Sequence, residues 1–216
     1  MSQQAVLVAG NLISFAEGVT EQDRQDVMDL MLYADLSASK KYDQTTLSIS
    51  WLNHYQQRLI KFGCELKAFI DPETLFASDL QSFYQLTCQV YGSVGSLALS
   101  QQLRASFSAL DLDQTAKDLF QRSMGSARSV IIKATPCELT ASNELMILFC
   151  AIKLTSTVDV EGFLFWKETF RDLSIRPDGG VFLFRREIYD RYRAGIRSRL
   201  AGLSEQFFHP LRAPQP

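Results

Sequence analysis

The octapeptide "LMILFCAI", Leu145 to Ile152, constrains this chain more than any other stretch. Read as a strand, it sends Met146, Leu148, Cys150 and Ile152 to one side and Ile147, Phe149 and Ala151 to the other, so both faces are apolar. A strand with two apolar faces has to be covered on both. Eight residues are also too few to cross a bilayer as a helix, which takes roughly 18 or more. The run therefore implies an α+β, three-layer α/β/α arrangement, with helices on both faces of a sheet.

The neighbouring segments supply partners for that strand. "ARSVIIKATPCEL" precedes it across "TASN", a polar turn that favours an antiparallel hairpin. "GFLFWKETF" reads as a third strand, with Leu164, Trp166 and Phe170 on one side and Phe163 and Phe165 on the other. "RPDGG" reads as a turn leading into a fourth strand, "VFLF", and "CELKAFI" also alternates toward a strand. The expected sheet is antiparallel with about four or five strands, most of them within 127–184.

Helical spacing dominates 20–124. Val27, Leu30, Met31, Ala34, Ala38 and Tyr42 form one apolar stripe, with Thr20 placed to cap it and Glu21 and Asp23 at the end that favours carboxylates. Leu52, Tyr55, Leu59 and Phe62, with Trp51 beside them, form a second stripe that Gly63 ends. "DPETLFASDLQSFYQLTCQVYG" has helical spacing, and Ser93 to Met124 reads as two helices divided near Leu110 to Asp113, with Asp113 as the cap. Gly92 and Gly95 lack the preceding strand and the Lys-Ser/Thr ending of a phosphate loop. A closing helix is expected over 185–208, with Ile188, Tyr192, Ile196, Leu200, Leu203 and Phe207 as its buried stripe and 209–216 as a tail. At 216 residues and 46% hydrophobic content, the chain suits one globular domain.

Charge is distributed unevenly. Residues 176–216 hold eight arginines and no lysine against four acids, whereas the whole chain carries a net charge of -2. Arg186, Arg191, Arg193, Arg197 and Arg199 cannot all face inward from one helix. They are candidates for contact with an anionic lipid surface or a protein partner, and the competing reading pairs them with the acidic N-terminal helices. Asp23, Asp26 and Asp29 could be imagined as metal or acid/base carboxylates, but their spacing reads as a solvated helix edge. The acidic chain shows no nucleic-acid-binding module, so nucleic acid is not an expected partner.

Enzymatic motifs are not legible. His54 and His209 have no nucleophile motif nearby, and His54 reads as a surface or cap histidine. Cys64, Cys88, Cys137 and Cys150 are too scattered for a zinc site and read as reduced core residues, so neither a metal nor a cofactor is expected. The apolar N-terminus has no basic leader, which makes it a poor secretory signal. The expected location is the cytoplasm of the producing cell, with export only by a signal-independent route.

From Gln22 to Asp43, and on through Trp51, Tyr55 and Gly63, the pattern "QDVMDLMLYADLSASKKYD … WLNHYQQRLIKFG" resembles a poorly characterised family of bacterial and fungal α/β proteins of about this length. By layout alone, helix pairs flanking a late antiparallel sheet are similar to single-domain cytolytic toxins of the Cyt type and to small bacterial virulence factors. The resemblance implies a protein whose helices swing away from an amphipathic sheet at a membrane. Leu145 to Ile152, apolar on both faces, departs from the alternation of membrane-inserted strands. The functional expectation is a non-enzymatic virulence- or toxin-type interaction protein, acting at a membrane surface or by assembly with a partner or a second copy. The alternative is a small-molecule-binding protein or enzyme with an aromatic pocket between sheet and helices, lined by Tyr55, Phe163 and Trp166.

Overall fold

The computed structural model describes residues 4–71, 73–77, 89, 97–123, 125–126, 129–155 and 173–211. Among the described residues nine strands form a single sheet: β1 (Gln4–Val8), β2 (Asn11–Phe15), β3 (Cys64–Phe69), β4 (Leu75–Ala77), β5 (Gly125–Ser126), β6 (Ser129–Leu139), β7 (Leu145–Thr155), β8 (Leu173–Phe184) and β9 (Phe208–Leu211). Their order is β3-β8-β7-β6-β2-β1-β9, with β4 also paired to β8 and β5 to β6. The described helices are α1 (Glu21–Ser39), α2 (Ser48–Lys61), α3 (Leu97–Leu112), α4 (Gln114–Ser123), α5 (Arg186–Leu200) and the single turn α6 (Ser204–Phe207).

The fold is α+β, but the expected sheet of four or five antiparallel strands is corrected: the sheet is larger, and it is mixed. The N-terminal residues make a hairpin, β1 with β2, through Ala9 and Gly10 at φ 46° and 73°. Two central residues with positive φ suit the twist of a two-residue hairpin. β2 then lies parallel to β6, and β9 adds to the free side of β1. Five-residue segments leave little periodic signal in the sequence, and the second partners of β1 and β2 lie more than a hundred positions away.

Two further expectations change. "RPDGG" is not a turn: Pro177 to Gly180 lie within β8, opposite Phe149 to Ile152 of β7. Pro177 falls between the stretches of β8 that pair with β4 and with β3, where its missing N–H leaves no rung broken on that side. A Cβ on Gly179, whose φ is 146°, would stand 2.1 Å from the Phe149 carbonyl oxygen, and one on Gly180 would stand 2.6 Å from that of Ala68. These glycines let neighbouring strands approach. The closing helix, expected through 208, stops at Leu200; Gly202 at φ 79° turns the chain, and the expected tail enters the sheet as β9.

Leu75–Ala77, within the segment expected to be helical, form β4 instead, because they pair with β8. Several local expectations hold. β6 and β7 form the antiparallel hairpin across Thr140 to Asn143. Both faces of β7 are covered. Ile147 and Phe149 pack with Val27, Leu30, Trp51, Tyr55 and Ile196 on the α1/α2/α5 side. Leu148, Cys150 and Ile152 pack with Leu99, Leu103, Phe107 and Phe120 on the α3/α4 side. Thr20 Oγ1 accepts from the Asp23 N–H at 3.1 Å to cap α1, and Asp113 Oδ1 accepts from the Ala116 N–H at 2.9 Å to cap α4. The third expected strand, "GFLFWKETF", most of the "DPETLFASDLQSFYQLTCQVYG" segment, Cys88, Gly92 and Gly95 lie outside the described residues.

Candidate functional site

The acidic edge of α1 is not solvated. Asp23, Asp26 and Asp29 are 3%, 1% and 3% exposed, and each meets an arginine of α5. Arg186 grips Asp23 through both Nε (2.6 Å) and an Nη (2.9 Å). Arg193 grips Asp26 in the same two-pronged way (2.9 and 2.6 Å), and Arg197 spans Asp26 (3.2 Å) and Asp29 (3.0 Å). Paired N–H groups of a planar guanidinium match a carboxylate, which gives these contacts directional strength beyond their charge.

The pairing register shows that α1 and α5 run in the same direction. The three carboxylates span about 9 Å of helix and the three arginines about 16 Å, so the long arginine side chains converge. Burial alone would raise the Asp23 carboxyl, but hydrogen bonds from Arg186 and Thr20 and the nearby positive charge outweigh it and hold Asp23 below the usual carboxylate value. At Asp29 burial wins over the bonds from Gln25 and Arg197 and pushes the carboxyl up.

This ladder decides which face of α5 turns inward. The expected buried stripe is corrected: Tyr189, Ile196 and Leu200 are buried, whereas Ile188 and Tyr192 are 38% and 37% exposed. A helix with so few apolar residues is oriented by its ion pairs, and the sequence stripe was one position out of phase at its start. Arg185, just before α5, anchors that end by bonding Glu65 of β3 and Glu144 of the β6–β7 turn.

Of the five candidate contact arginines, Arg186, Arg193 and Arg197 are thus engaged with α1. Arg191 is exposed and has no ion-pair partner among the described residues. Arg199 is exposed, with a long contact from Nη1 to the Tyr33 hydroxyl (3.4 Å) and its guanidinium 5.8 Å from the Tyr33 ring centre. Tyr33 and Tyr192 both meet Phe62 edge-on, at 5.3 and 5.0 Å between ring centres, and the Lys61 ammonium lies 5.6 Å from the Phe62 ring. The outer side of α5 and the end of α2 therefore join an aromatic cluster to Lys61, Arg191 and Arg199, with Ile188 beside them. Two acids share this side: Asp190 is taken by Arg193 at 2.5 Å, and Glu187 is exposed.

The expected aromatic pocket has a different standing. Tyr55 is fully buried, stacked on Trp51 (5.1 Å) and Phe149 (4.6 Å), with its hydroxyl against Met31 Sδ at 2.9 Å; Phe163 and Trp166 lie outside the described residues. Next to Tyr55 runs a buried polar array missed by the sequence reading. Lys133 of β6 is buried, pairs with Asp35 of α1, donates to the Ala9 carbonyl at 3.0 Å and lies 4.9 Å from the Trp51 ring. Asn11 links to Tyr55 and Thr135. The only signal in the sequence was a lysine in an apolar strand.

His54, expected as a surface or cap histidine, is not on the surface. It is buried between α1 and α2, its Nε2 3.2 Å from both Ser37 Oγ and Arg58 Nε. Burial and the neighbouring cations Arg58 and Lys41 pull its pKa down, favouring the neutral ring. Cys64, Cys137 and Cys150 are buried and form no disulfide, and burial pushes the first two thiols well above the usual value. Among the described residues no His/Cys/Asp/Glu cluster could hold a metal ion.

No family model matches the chain, and no curated protein sequence matches it. Among solved structures, the Evf virulence factor is similar over 96% of this chain and 84% of its own, at 10% identity and a TM-score of 0.45. The activated Cyt2Ba monomer from Bacillus thuringiensis subsp. israelensis is similar over 80% of this chain and 96% of its own, at 13% identity and a TM-score of 0.46. A delta-endotoxin is similar over 82% and 84%, at 12% identity and a TM-score of 0.47. These are loose similarities of arrangement.

Proposed function

We propose that the protein is a non-enzymatic interaction protein of toxin or virulence-factor type that attaches to anionic membrane surfaces through the outer face of α5. The observation that carries this reading is the division of labour on that helix. Arg186, Arg193 and Arg197 hold it to α1, which leaves Ile188, Arg191, Tyr192 and Arg199 outward beside Lys61. Aliphatic and tyrosyl groups suit the headgroup boundary, and long cationic side chains reach lipid phosphates while their stems lie along apolar surface. Each cation near an anionic leaflet contributes about 1 kcal/mol, an attraction that salt weakens. Among the described residues no helix is long and apolar enough to cross a membrane, and peripheral attachment needs none.

The test is flotation of the purified protein with phosphatidylserine-containing and pure phosphatidylcholine vesicles at low and high salt, with dye release followed in parallel. The expected result is binding to the anionic vesicles alone, reduced by salt and without leakage. Equal binding to both vesicle types, or binding to neither, would contradict the proposal.

A further inference from the structure

Where the C-terminal half of α1 packs on α2, hydrogen-bond donors and positive charge outnumber what receives them. The contacts of Tyr33 with Phe62, Ser37 with His54 and Ser39 with Trp51 climb one helix and descend the other, so the two helices are antiparallel. Ser37 of α1 meets His54 and Arg58 of α2 midway along this junction. His54 is only 8% exposed, whereas Ser37 and Arg58 are half-buried and reach the surface.

The Arg58 Nε–H donates to His54 Nε2 at 3.2 Å, and the Ser37 hydroxyl stands at the same distance from the same nitrogen. A neutral imidazole nitrogen offers one lone pair, so it cannot serve both donors, and the rotatable Ser37 hydroxyl is left to turn outward. The neutral ring also orients the guanidinium without neutralising it. No acid makes up the difference: α2 contains no Asp or Glu, Asp35 is already paired with Lys133, and Asp43 accepts from the backbone N–H groups of Thr45 and Thr46. The charges acting on His54 are both positive, those of Arg58 and Lys41. Lys41 flanks the junction, its ammonium 5.1 Å from the Tyr42 ring, which meets the His54 ring edge-on at 5.8 Å.

We infer that this junction receives the phosphomonoester headgroup of an anionic lipid, held by the Arg58 guanidinium, the Ser37 hydroxyl and the Lys41 ammonium. A phosphomonoester brings nearly two negative charges and three strong acceptor oxygens, which match two cations and a surplus hydroxyl better than a singly charged group does. The lipid assignment rests on the membrane reading of α5, because the junction continues into that face through Tyr33 and Phe62, which meet Arg199 and Tyr192.

The test is flotation of the full chain with phosphatidylcholine vesicles containing either phosphatidate, a phosphomonoester, or phosphatidylserine, the two adjusted to equal surface charge. Phosphatidate vesicles are expected to bind about tenfold more tightly, as for one added charge-assisted contact. Arg58→Gln should bring the ratio of the two affinities to one. Ser37→Ala should lower the ratio by a smaller factor and keep the fold, alanine being the better helix former. Arg191→Gln removes an equal charge from α5 and should lower both affinities while their ratio stands. A wild-type ratio near one, or a ratio that neither Arg58→Gln nor Ser37→Ala changes, would overturn the inference and leave the α5 reading intact. A phosphatidate preference with both affinities indifferent to Arg191→Gln would support the junction and count against α5. Binding to neither vesicle would overturn both. Saturable binding of inorganic phosphate without vesicles, abolished in Arg58→Gln, would give the site to free phosphate and overturn the lipid assignment.

Discussion

The two halves of α1 place carboxylates in buried positions and neutralise them in opposite ways. Asp35, toward the C-terminal end, meets Lys133 from inside the sheet, under Trp51, with the lysine 1% exposed. Asp23, Asp26 and Asp29, toward the N-terminal end, meet arginines whose side chains remain 27–41% exposed. The first pair is enclosed by the core. The second set is a seam, with carboxylates on the dry side and guanidinium groups reaching water. A buried pair gives little net stability over an apolar replacement, but removal of one partner strands a charge. A seam with one solvated side tolerates such loss better, which makes the α5 attachment the more adjustable of the two.

The largest effect should come from breaking the enclosed pair. Lys133→Met leaves Asp35 without its counter-charge and the Ala9 carbonyl without its donor, at an expected cost of about 3–5 kcal/mol in urea unfolding. Lys133→Met combined with Asp35→Leu should recover most of that loss, since both charges are then gone; failure to recover would mean that Lys133 acts through packing rather than charge. Next comes the seam. Arg193→Met with Arg197→Met strands Asp26 and Asp29, and solvent access on the arginine side places the cost lower, at about 2 kcal/mol. That corresponds to a fall in Tm of roughly 4–8 °C for a domain of this size. A loss as large as that of Lys133→Met would erase the distinction.

A smaller effect separates two carboxylates within the seam. The Asp23 pKa is lowered from its ordinary value of 3.8, so its stabilisation is present above that value and is lost as pH falls through the lower folded value. The Asp29 pKa is raised from the same value, so the folded state gains relative stability as pH falls through the higher folded value. Unfolding curves from pH 7 to 3 should therefore show the Asp23→Asn deficit shrinking in the most acidic range. The wild type should gain on Asp29→Asn over the range above it. Parallel slopes for the two variants would contradict this assignment.

The same contrast explains what the sequence disclosed. The stripes of α1 and α2, the caps at Thr20 and Asp113 and the β6–β7 hairpin follow from contacts within a few residues, and each was legible. The possibility that the C-terminal arginines pair with the acidic helices was legible as chemistry, because opposite charges were present in both segments. Its geometry was not, because the spacing 23, 26, 29 is also that of a solvated edge until α5 arrives from more than 150 positions away. The same distance hid the phase of α5, where ion pairs overrode the apolar stripe and left Ile188 and Tyr192 outside. β9 escaped for the same reason, the local β1–β2 hairpin escaped because five-residue strands carry little periodic signal, and Pro177 to Gly180 were misread because residues that favour turns also permit close strand approach.

The proposed division of labour on α5 gives one set of arginines to the fold and another to a membrane. It is tested most directly by flotation with anionic vesicles of a variant combining Lys61→Gln, Arg191→Gln and Arg199→Gln, beside the wild type and with both melting curves recorded. The expected result is a near-native melting curve, a change of under about 1 kcal/mol as is usual for exposed charges, together with loss of most vesicle binding. Retention of full binding by this stably folded variant would contradict it.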